Sequence, residues 1–322
     1  MIDEPQNIET VEFADGFKSE TLTIGENAFN WCINLTNFTI PDSVKELTIG
    51  YAAFGGCKKL AEFTIPEGVE KLTIYGGAFY GCTNLTNFTI PDKVKELNIG
   101  GDAFSYCNLK DFTIPEGVEK LNIGGYAFSH CTKLAEFTIP GSVHELTIGD
   151  AAFMGCSNLT NFTIPDKVKE LTIDKYAFRD CKSLEAFKIP GSVKELTIGE
   201  NAFENCNKLT NFTIPGSVKE LTIDDAAFGG CTKLTNFTIP DRVEKLTIGK
   251  WAFQGCTKLA DFTIPDSVEK LTIYGGAFYG CESLKDFKIP DSVKELTIDD
   301  WAFEDCSSLE AFKIPESVKM FY

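Results

Sequence analysis

The hydrophobic pattern of this chain repeats. The string Leu-x-Ile-x-x-x-Ala-Phe-x-x-Cys occurs twelve times, and successive copies start 25 residues apart except for one unit of 24 residues that begins at residue 97. Such a period predicts a solenoid, because a single unit cannot bury its apolar face and each coil must stack on the next. The copies start at Leu22, Leu47, Leu72, Leu97, Leu121, Leu146, Leu171, Leu196, Leu221, Leu246, Leu271 and Leu296.

Two stretches of each unit predict β-strands. Residues 35–41 read Leu-x-x-Phe-x-Ile-Pro, and residues 44–50 read Val-x-x-Leu-x-Ile-Gly. Apolar residues alternate with Thr at the end of both stretches, which is the period of a strand with one buried face. Proline ends the first strand because it has no N–H to donate and holds the preceding residue extended. Stacked coils would therefore build two parallel sheets.

The remainder of each unit has helical spacing. Ala28, Phe29, Cys32 and Leu35 recur at intervals that place them on one face of a short helix. One or two turns are too short to be stable alone, so packing would have to hold them. We therefore expect an α/β-type solenoid with two parallel strands and a short helical turn per 25-residue repeat. A helical side wider than the strand side would bend it into a curved rod, with the strand at 35–40 on the concave face.

The repeat also predicts the domain organisation. Residues 1–21 contain a degenerate half-repeat, read as an N-terminal cap, and residues 22–319 form the twelve-repeat solenoid. Residues 320–322 would be an uncapped C-terminal end, since terminal repeats usually need a polar outer face. Two interpretations of that end stay open: a truncated natural array, or a surface for end-to-end self-association through an open strand edge.

The net charge of the chain disfavours negatively charged partners. The chain has 30 basic and 47 acidic residues, a net charge of −17. An acidic surface repels phosphate, so nucleic acids and anionic membranes are poor candidates. No apolar run approaches the roughly 20 residues needed for membrane insertion. The first residues lack the pattern of a signal peptide, which leaves a cytosolic protein or a mature or engineered fragment as alternatives.

The cysteines belong to the repeat. One occurs in every unit, four residues after the Ala of Ala-Phe, and no Cys-x-x-Cys pair is present. We therefore expect buried free thiols that pack as small hydrophobes, with no metal and no cofactor. The two histidines, His130 and His144, occupy unrelated positions, and no nucleophile–base pair or phosphate loop is recognisable, so no enzyme activity is expected.

A family resemblance rests on these motifs. Leu-x-x-Phe-x-Ile-Pro with Ala-Phe-x-x-Cys upstream resembles the BspA-like leucine-rich repeat family, over residues 22–319 and in all twelve units. The resemblance implies a leucine-rich-repeat right-handed coil and a protein that adheres to surfaces or binds other proteins. It also implies an extracellular or cell-surface location, although no signal peptide is seen. The chain departs from the family pattern by two extra residues per coil, in Val-x-x-Leu-x-Ile-Gly.

The first strand of each coil supplies the candidate binding face. Solenoids of this class bind partners on the concave side, where two columns of side chains would face solvent. The alternative is that Thr was selected for its β propensity and needs no ligand. The candidate residues are Asn37, Thr39, Glu62, Thr64, Asn87, Thr89, Asp111, Thr113, Glu136, Thr138, Asn161, Thr163, Lys188, Asn211, Thr213, Asn236, Thr238, Asp261, Thr263, Asp286, Lys288 and Lys313.

Two further features have weaker functional interpretations. Tyr126, Tyr176, Trp251 and Trp301 share the position before Ala-Phe, where an aromatic residue could anchor a partner but is better explained by packing over a turn. The second strand also carries a Thr column, which could bind ice, but neighbouring charged residues would disturb ordered water.

The sequence thus favours a non-enzymatic protein-binding or cell-surface adhesion module whose partner is a host or matrix protein. The alternative is a structural or consensus-designed repeat scaffold that self-associates end to end and binds no ligand. Net charge, repeat period and motifs do not identify the partner.

Overall fold

The structure is a computed structural model that describes residues 7–169, 171–316 and 318–320. The chain divides into two compact units, residues 1–159 and residues 160–322, and each is a stack of coils with two parallel strands per coil. The predicted boundaries at 21/22 and 319/320 remain predictions. Residues 1–6 of the predicted cap and residues 321–322 of the predicted uncapped end lie outside the described residues, as does the end-to-end association proposed for them.

The described part of the first unit, residues 7–159, contains twelve strands. They are β1 (Thr10–Val11), β2 (Thr21–Ile24), β3 (Asn37–Phe38), β4 (Glu46–Ile49), β5 (Glu62–Thr64), β6 (Lys71–Ile74), β7 (Asn87–Thr89), β8 (Glu96–Ile99), β9 (Asp111–Thr113), β10 (Lys120–Ile123), β11 (Glu136–Thr138) and β12 (Glu145–Ile148). The even-numbered strands form one parallel sheet in chain order, whereas the odd-numbered strands pair as β1–β3, β5–β7 and β9–β11.

The second unit continues the numbering. Its strands are β13 (Asn161–Thr163), β14 (Thr172–Ile173), β15 (Ala186–Lys188), β16 (Glu195–Ile198), β17 (Asn211–Thr213), β18 (Glu220–Ile223), β19 (Asn236–Thr238), β20 (Lys245–Ile248), β21 (Asp261–Thr263), β22 (Lys270–Ile273), β23 (Asp286–Lys288), β24 (Glu295–Ile298), β25 (Ala311–Lys313) and β26 (Lys319–Met320). Odd-numbered and even-numbered strands form two separate parallel sheets, each in chain order.

Register follows the sequence repeat. Leu22 lies opposite Leu47, so equivalent residues of successive coils are neighbours. The 24-residue unit keeps this alignment, because Leu97 lies opposite Leu121. The missing residue is therefore absorbed outside the strands, and every side chain stays on its own face of the sheet.

The segment with helical spacing is not a helix, and that prediction was wrong. Among the described residues no α-helix forms. The residue before Ala-Phe and the residue before Cys have positive φ in all twelve coils, as at Ala52 (47°) and Gly56 (70°). A left-handed residue at every fourth position interrupts a right-handed helix.

Hydrogen bonding in this segment explains its conformation. The N–H groups of Ala52, Phe54 and Gly56 donate to carbonyls of the next coil at 2.7–2.9 Å, and the amides between them form turns with their own coil. The segment is thus a third ladder between coils. Each unit is a parallel β-solenoid, whereas the handedness of the coil and its curvature remain predictions.

Two columns of phenylalanine rings form the centre of the core. In the first unit Phe54 and Phe79 stack at 5.2 Å between ring centroids, and Phe63 and Phe88 stack at 5.7 Å. The two columns meet edge to face, as Phe63 and Phe79 do at 4.9 Å. The second unit repeats this arrangement, for example between Phe203 and Phe228 at 5.4 Å. These geometries are the favoured ones for aromatic pairs, so the inner residues pack coil upon coil as the period predicts.

Candidate functional site

The side chains of the odd-numbered strands form the candidate face, called the first-strand face below. In the three-residue strands other than β25 the central Phe is buried and both neighbours are exposed, as in Glu62, Phe63 and Thr64. All the predicted binding residues from Asn37 to Lys313 are exposed. Within each unit these residues lie on exposed positions of the odd-numbered strands or, for Thr39, directly after β3, and the binding site that they would form stays a prediction.

Backbone pairing orders the first-strand face into two columns within each unit. In the second unit Asn211 lies opposite Asn236, and Thr213 lies opposite Thr238. Residues aligned across neighbouring parallel strands are about 4.8 Å apart. The columns thus present hydroxyl and amide groups at a fixed spacing. Within the face the amide of Asn37 donates to Thr39 at 3.4 Å, and the amide of Asn211 donates to the hydroxyl of Thr210 beside the column at 3.1 Å.

Charge differs between the first-strand faces of the two units. In residues 1–159 the face carries Glu62, Asp111 and Glu136 and no lysine. In residues 160–322 Lys188, Lys288 and Lys313 interrupt the threonine column, next to Asp261 and Asp286. The face of the second unit therefore has mixed charge, whereas that of the first unit is purely acidic.

The even-numbered strands form a separate face, called the second-strand face. Shallow grooves lie on it, one of about 320 Å³ along β6, β8, β10 and β12 and one of about 850 Å³ that includes Lys194 and Ser217. In the first groove Asn122 donates to Asn98 at 2.6 Å. Sequence reasoning did not identify these grooves, because they arise where small side chains of adjacent strands lie next to longer charged ones.

Ion pairs border the second-strand face. Lys120 contacts Glu145 at 3.3 Å and Lys270 contacts Glu295 at 2.8 Å, in both cases between adjacent coils. The hydrogen bond from Lys270 lowers the pKa of Glu295. These side chains are well exposed, so the pairs contribute little stability and mainly favour correct register.

The cysteines form an internal file, as predicted. All twelve are free thiols, and all are buried except Cys306, which is half-buried. Cys82 donates to the carbonyl of Phe54 in the preceding coil at 3.1 Å, and Cys131 donates to Phe104 at 3.0 Å. Burial raises the pKa of Cys131 to about 12. These thiols are protonated at neutral pH, so they act as packing groups and not as nucleophiles.

The turn segment carries most of the exposed aromatic side chains. Of the four residues singled out before Ala-Phe, Tyr126 and Trp301 are 40% and 63% exposed, whereas Tyr176 and Trp251 are half-buried. All four have positive φ between 58° and 60°. Tyr176 lies 5.5 Å from the guanidinium of Arg179 and Trp251 packs edge to face on Tyr279. Packing over a turn thus accounts for Tyr176 and Trp251 but not for the exposed pair.

Among the described residues we find no cluster of side chains suited to catalysis or to metal binding. No group of three or more His, Cys, Asp or Glu side chains there could hold a metal ion. His130 stacks on Tyr106 at 4.8 Å, and His144 lies 3.9 Å from Glu119 and 3.8 Å from Glu145, so the two histidines belong to separate clusters. Within the described ranges there is also no helix with the length and apolar character that crossing a bilayer requires.

Comparison with known proteins gives the same architecture. A family profile described as "BspA type Leucine rich repeat region (6 copies)" matches residues 6–122, 97–222 and 221–322. A leucine-rich repeat protein from Bacteroides ovatus is 27% identical, with a TM-score of 0.57, over 94% of this chain and 85% of that protein. A leucine-rich cell surface protein from Faecalibacterium prausnitzii is 25% identical, with a TM-score of 0.47, over 95% of this chain and 72% of that protein. No curated protein matches this sequence.

Proposed function

This chain belongs to the BspA-type leucine-rich repeat family, and from that premise we propose that it is a non-enzymatic adhesion module that binds a host or matrix protein on its first-strand face. Proteins of this type are typically surface or protein-interaction modules, and leucine-rich repeat proteins are generally non-enzymatic scaffolds. The choice of face, the adhesive role and a location outside the cell are parts of the proposal.

The observation that carries the proposal is the exposure of two aligned columns on a rigid support. Thr213 and Asn211 point outward from β17, while Phe212 between them is buried in the aromatic column. Their positions are fixed by backbone pairing to both neighbouring strands. A partner would therefore meet side chains that lose little conformational entropy on binding, which is the main benefit of a preorganised surface.

Composition of the first-strand face favours a protein over a nucleic acid or an anionic lipid. Hydroxyl and amide groups can donate and accept hydrogen bonds, and interfaces of this kind carry about one hydrogen bond per 100–200 Å². The net charge of −17 opposes binding to polyphosphate. Lys288 and Asp286, which lie on the same strand, suit a partner surface with charges of both signs.

Substitution on the face tests the proposal. Thr213→Lys together with Thr238→Lys places bulk and charge in the middle of the columns, and the fold should accept them because Lys188 and Lys288 occupy the same column. We expect binding to immobilised matrix proteins or to host cells to weaken by roughly tenfold or more, the effect of removing a central contact.

A matched control lies on the second-strand face. Thr197→Lys makes the same change at an exposed position of β16 on the second-strand face. It should leave binding unchanged if the partner contacts the first-strand face. Equal loss with both variants, or saturable binding that neither variant affects, contradicts the choice of face. Absence of saturable binding to every matrix protein and cell type tested contradicts the adhesive function itself.

A further inference from the structure

Six exposed aromatic residues lie along one edge of the unit formed by residues 1–159. All occur in the turn segment between the end of a second strand and the next Cys, in residues 25–31, 50–56, 75–81, 100–106 and 124–130. They are between 40% and 58% exposed. We call this set the aromatic edge: Trp31, Tyr51, Tyr75, Tyr80, Tyr106 and Tyr126.

Three residues of the aromatic edge have a backbone conformation that disfavours them. Trp31, Tyr106 and Tyr126 have φ of 60° or 61°. A bulky residue at positive φ is an outlier, and the left-handed region costs a non-glycine residue about 1–2 kcal/mol. Other coils hold Gly56 and Asn205 at the position of Trp31, which fit that conformation better. The rings are therefore present despite a backbone penalty, a situation that is common at functional sites.

Glycines of the following coil lie against the rings of Trp31 and Tyr51. A Cβ added to Gly56 would stand within 2.8–3.2 Å of three carbons of the Trp31 ring, and one added to Gly76 would stand 3.0 Å from the Tyr51 ring. Each glycine occupies the position equivalent to the aromatic residue one coil earlier. The rings of Trp31 and Tyr51 thus cover backbone that has no side chain of its own, and more than half of each residue stays exposed. Lys58 Nζ lies 5.8 Å from the centroid of the Trp31 ring, and Tyr106 stacks on His130 at 4.8 Å.

The second unit provides an internal comparison. The six turn segments of residues 1–159, which are the five named above and residues 149–155, hold only three acidic residues, Glu26, Asp102 and Asp150, and no lysine or arginine. The corresponding segments of residues 160–322 hold thirteen charged residues, four of them in residues 299–305 alone. Both units have the same positive φ values at the same positions. The fold therefore does not require a nearly uncharged edge.

We propose that the aromatic edge binds a neutral oligosaccharide by stacking of sugar rings on the aromatic rings. The electron-rich face of an aromatic ring attracts the weakly positive C–H groups that line one face of a pyranose. Tyrosine hydroxyls at the ring rims can bond to sugar hydroxyls. Low charge on this edge suits an uncharged ligand, whereas the acidic chain as a whole disfavours an anionic one.

The position of Trp31 and Tyr51 against glycines of their own chain favours a carbohydrate over a protein as the ligand. Aromatic anchors of protein interfaces are buried in well-packed pockets that exclude water. Trp31 and Tyr51 instead lie over glycines of their own chain, so they offer a platform and cannot enter a pocket of a partner. This surface lies on the turn segments and is distinct from the first-strand face, so its test is independent of the proposed adhesive function.

The test uses substitutions that remove rings without straining the fold. In the full-length double variant Trp31→Gly, Tyr106→Gly both new residues accept positive φ, so we expect thermal stability to be unchanged or higher. The probes are N-acetylchitohexaose, cellohexaose and mannohexaose, titrated by calorimetry. At least one should bind the unsubstituted protein, and each ring removed should weaken that binding by about tenfold.

The matched control is Trp301→Gly, which removes an aromatic residue of positive φ that is 63% exposed on the charged edge of the other unit. It should leave sugar binding unchanged. The proposal is overturned if none of the three probes binds, if the double variant binds as tightly as the original protein, or if Trp301→Gly is equally damaging. Mucin offers a further criterion, because retention on mucin that persists after its glycans are removed, and that the double variant loses, would assign the edge to a protein ligand.

Discussion

At the scale of single residues, the turn segments require positive φ, a backbone conformation that is unfavourable for residues other than glycine. Ala226 has a φ of 51°, in the left-handed region, where alanine is disfavoured by about 1–2 kcal/mol relative to the right-handed form. Glycine relieves that penalty but has a more flexible unfolded state, which offsets part of the gain. Residues at this position therefore determine the backbone strain of the coil.

This strain leads to a stability prediction. Ala226→Gly should raise the free energy of unfolding by up to about 1 kcal/mol, measured by denaturant titration. The neighbouring Ala227 is the control, because its methyl group is fully buried and its φ is not positive. Ala227→Gly should lower the free energy of unfolding by about 1 kcal/mol or more. Destabilisation by both substitutions would contradict the account of the turn.

The cysteine file predicts how stability depends on pH. Burial raises the pKa of Cys131 and of Cys231 to about 12, whereas an unfolded cysteine titrates near ~8.5. Between these values the unfolded chain has lost protons that the folded chain keeps, so the free energy of unfolding falls as pH rises. The contribution is complete below pH ~8.5 and disappears as pH approaches about 12.

Unfolding by urea at a series of alkaline pH values measures this effect. Cys131→Ala is the informative variant, because it removes one titrating group and should make the decline of stability with pH shallower by about one proton. Lysine and tyrosine side chains titrate in both the variant and the original protein, so their contributions to the slope of stability against pH cancel in the comparison. An identical slope for the variant and the original protein would show that the thiol ionises as readily in the folded state as in the unfolded state.

At the scale of elements, much of the coil could be predicted from the sequence. Leu-x-x-Phe-x-Ile-Pro and Val-x-x-Leu-x-Ile-Gly gave both strands and their outward columns, because alternation at period two has a direct structural meaning. The register across the 24-residue unit followed in the same way, since Leu97 and Leu121 remain equivalent. Periodicity alone could not place the grooves of the second-strand face, which depend on the sizes of side chains in neighbouring coils.

The turn segment was predicted wrongly because spacing does not report backbone handedness. Ala, Phe, Cys and Leu recur as they would on a helix. However, the amides of Ala52, Phe54 and Gly56 donate to the next coil, and Ala52 and Gly56 are left-handed. A signal was present. The position before Cys is Gly, Asn or Asp in nine of twelve coils, and those are the residues that accept positive φ.

The aromatic columns give an element-scale prediction. Phe187 is 1% exposed and stacks on Phe162 at 5.8 Å and on Phe212 at 5.6 Å. Phe187→Ala should lower the free energy of unfolding by about 3–5 kcal/mol, measured by guanidinium titration. Phe312 belongs to the same column but is 38% exposed, so Phe312→Ala should cost no more than about 2 kcal/mol. Equal costs would mean that stacking between coils does not determine stability.

At the scale of the whole molecule, function follows from repetition. Each coil donates hydrogen bonds to its neighbours through two strands and a turn segment, so the surface columns are held at a spacing that no single unit could fix alone. The same repetition leaves side chains outside the core free to vary. Variation at those positions distinguishes the first-strand faces and the turn edges of the two units.

The central claim is that the turn segment is a ladder between coils, and residue-resolved amide hydrogen exchange tests it most directly. The amides of Phe54 and Gly56 donate to the next coil at 2.8 and 2.7 Å, and those of Phe203 and Asn205 do so at 2.7 Å each. We predict that these four amides, and their equivalents in the other internal coils, exchange as slowly as the amides of the even-numbered strands. Exchange at the rate of unstructured peptide, while the strands remain protected, would contradict the account.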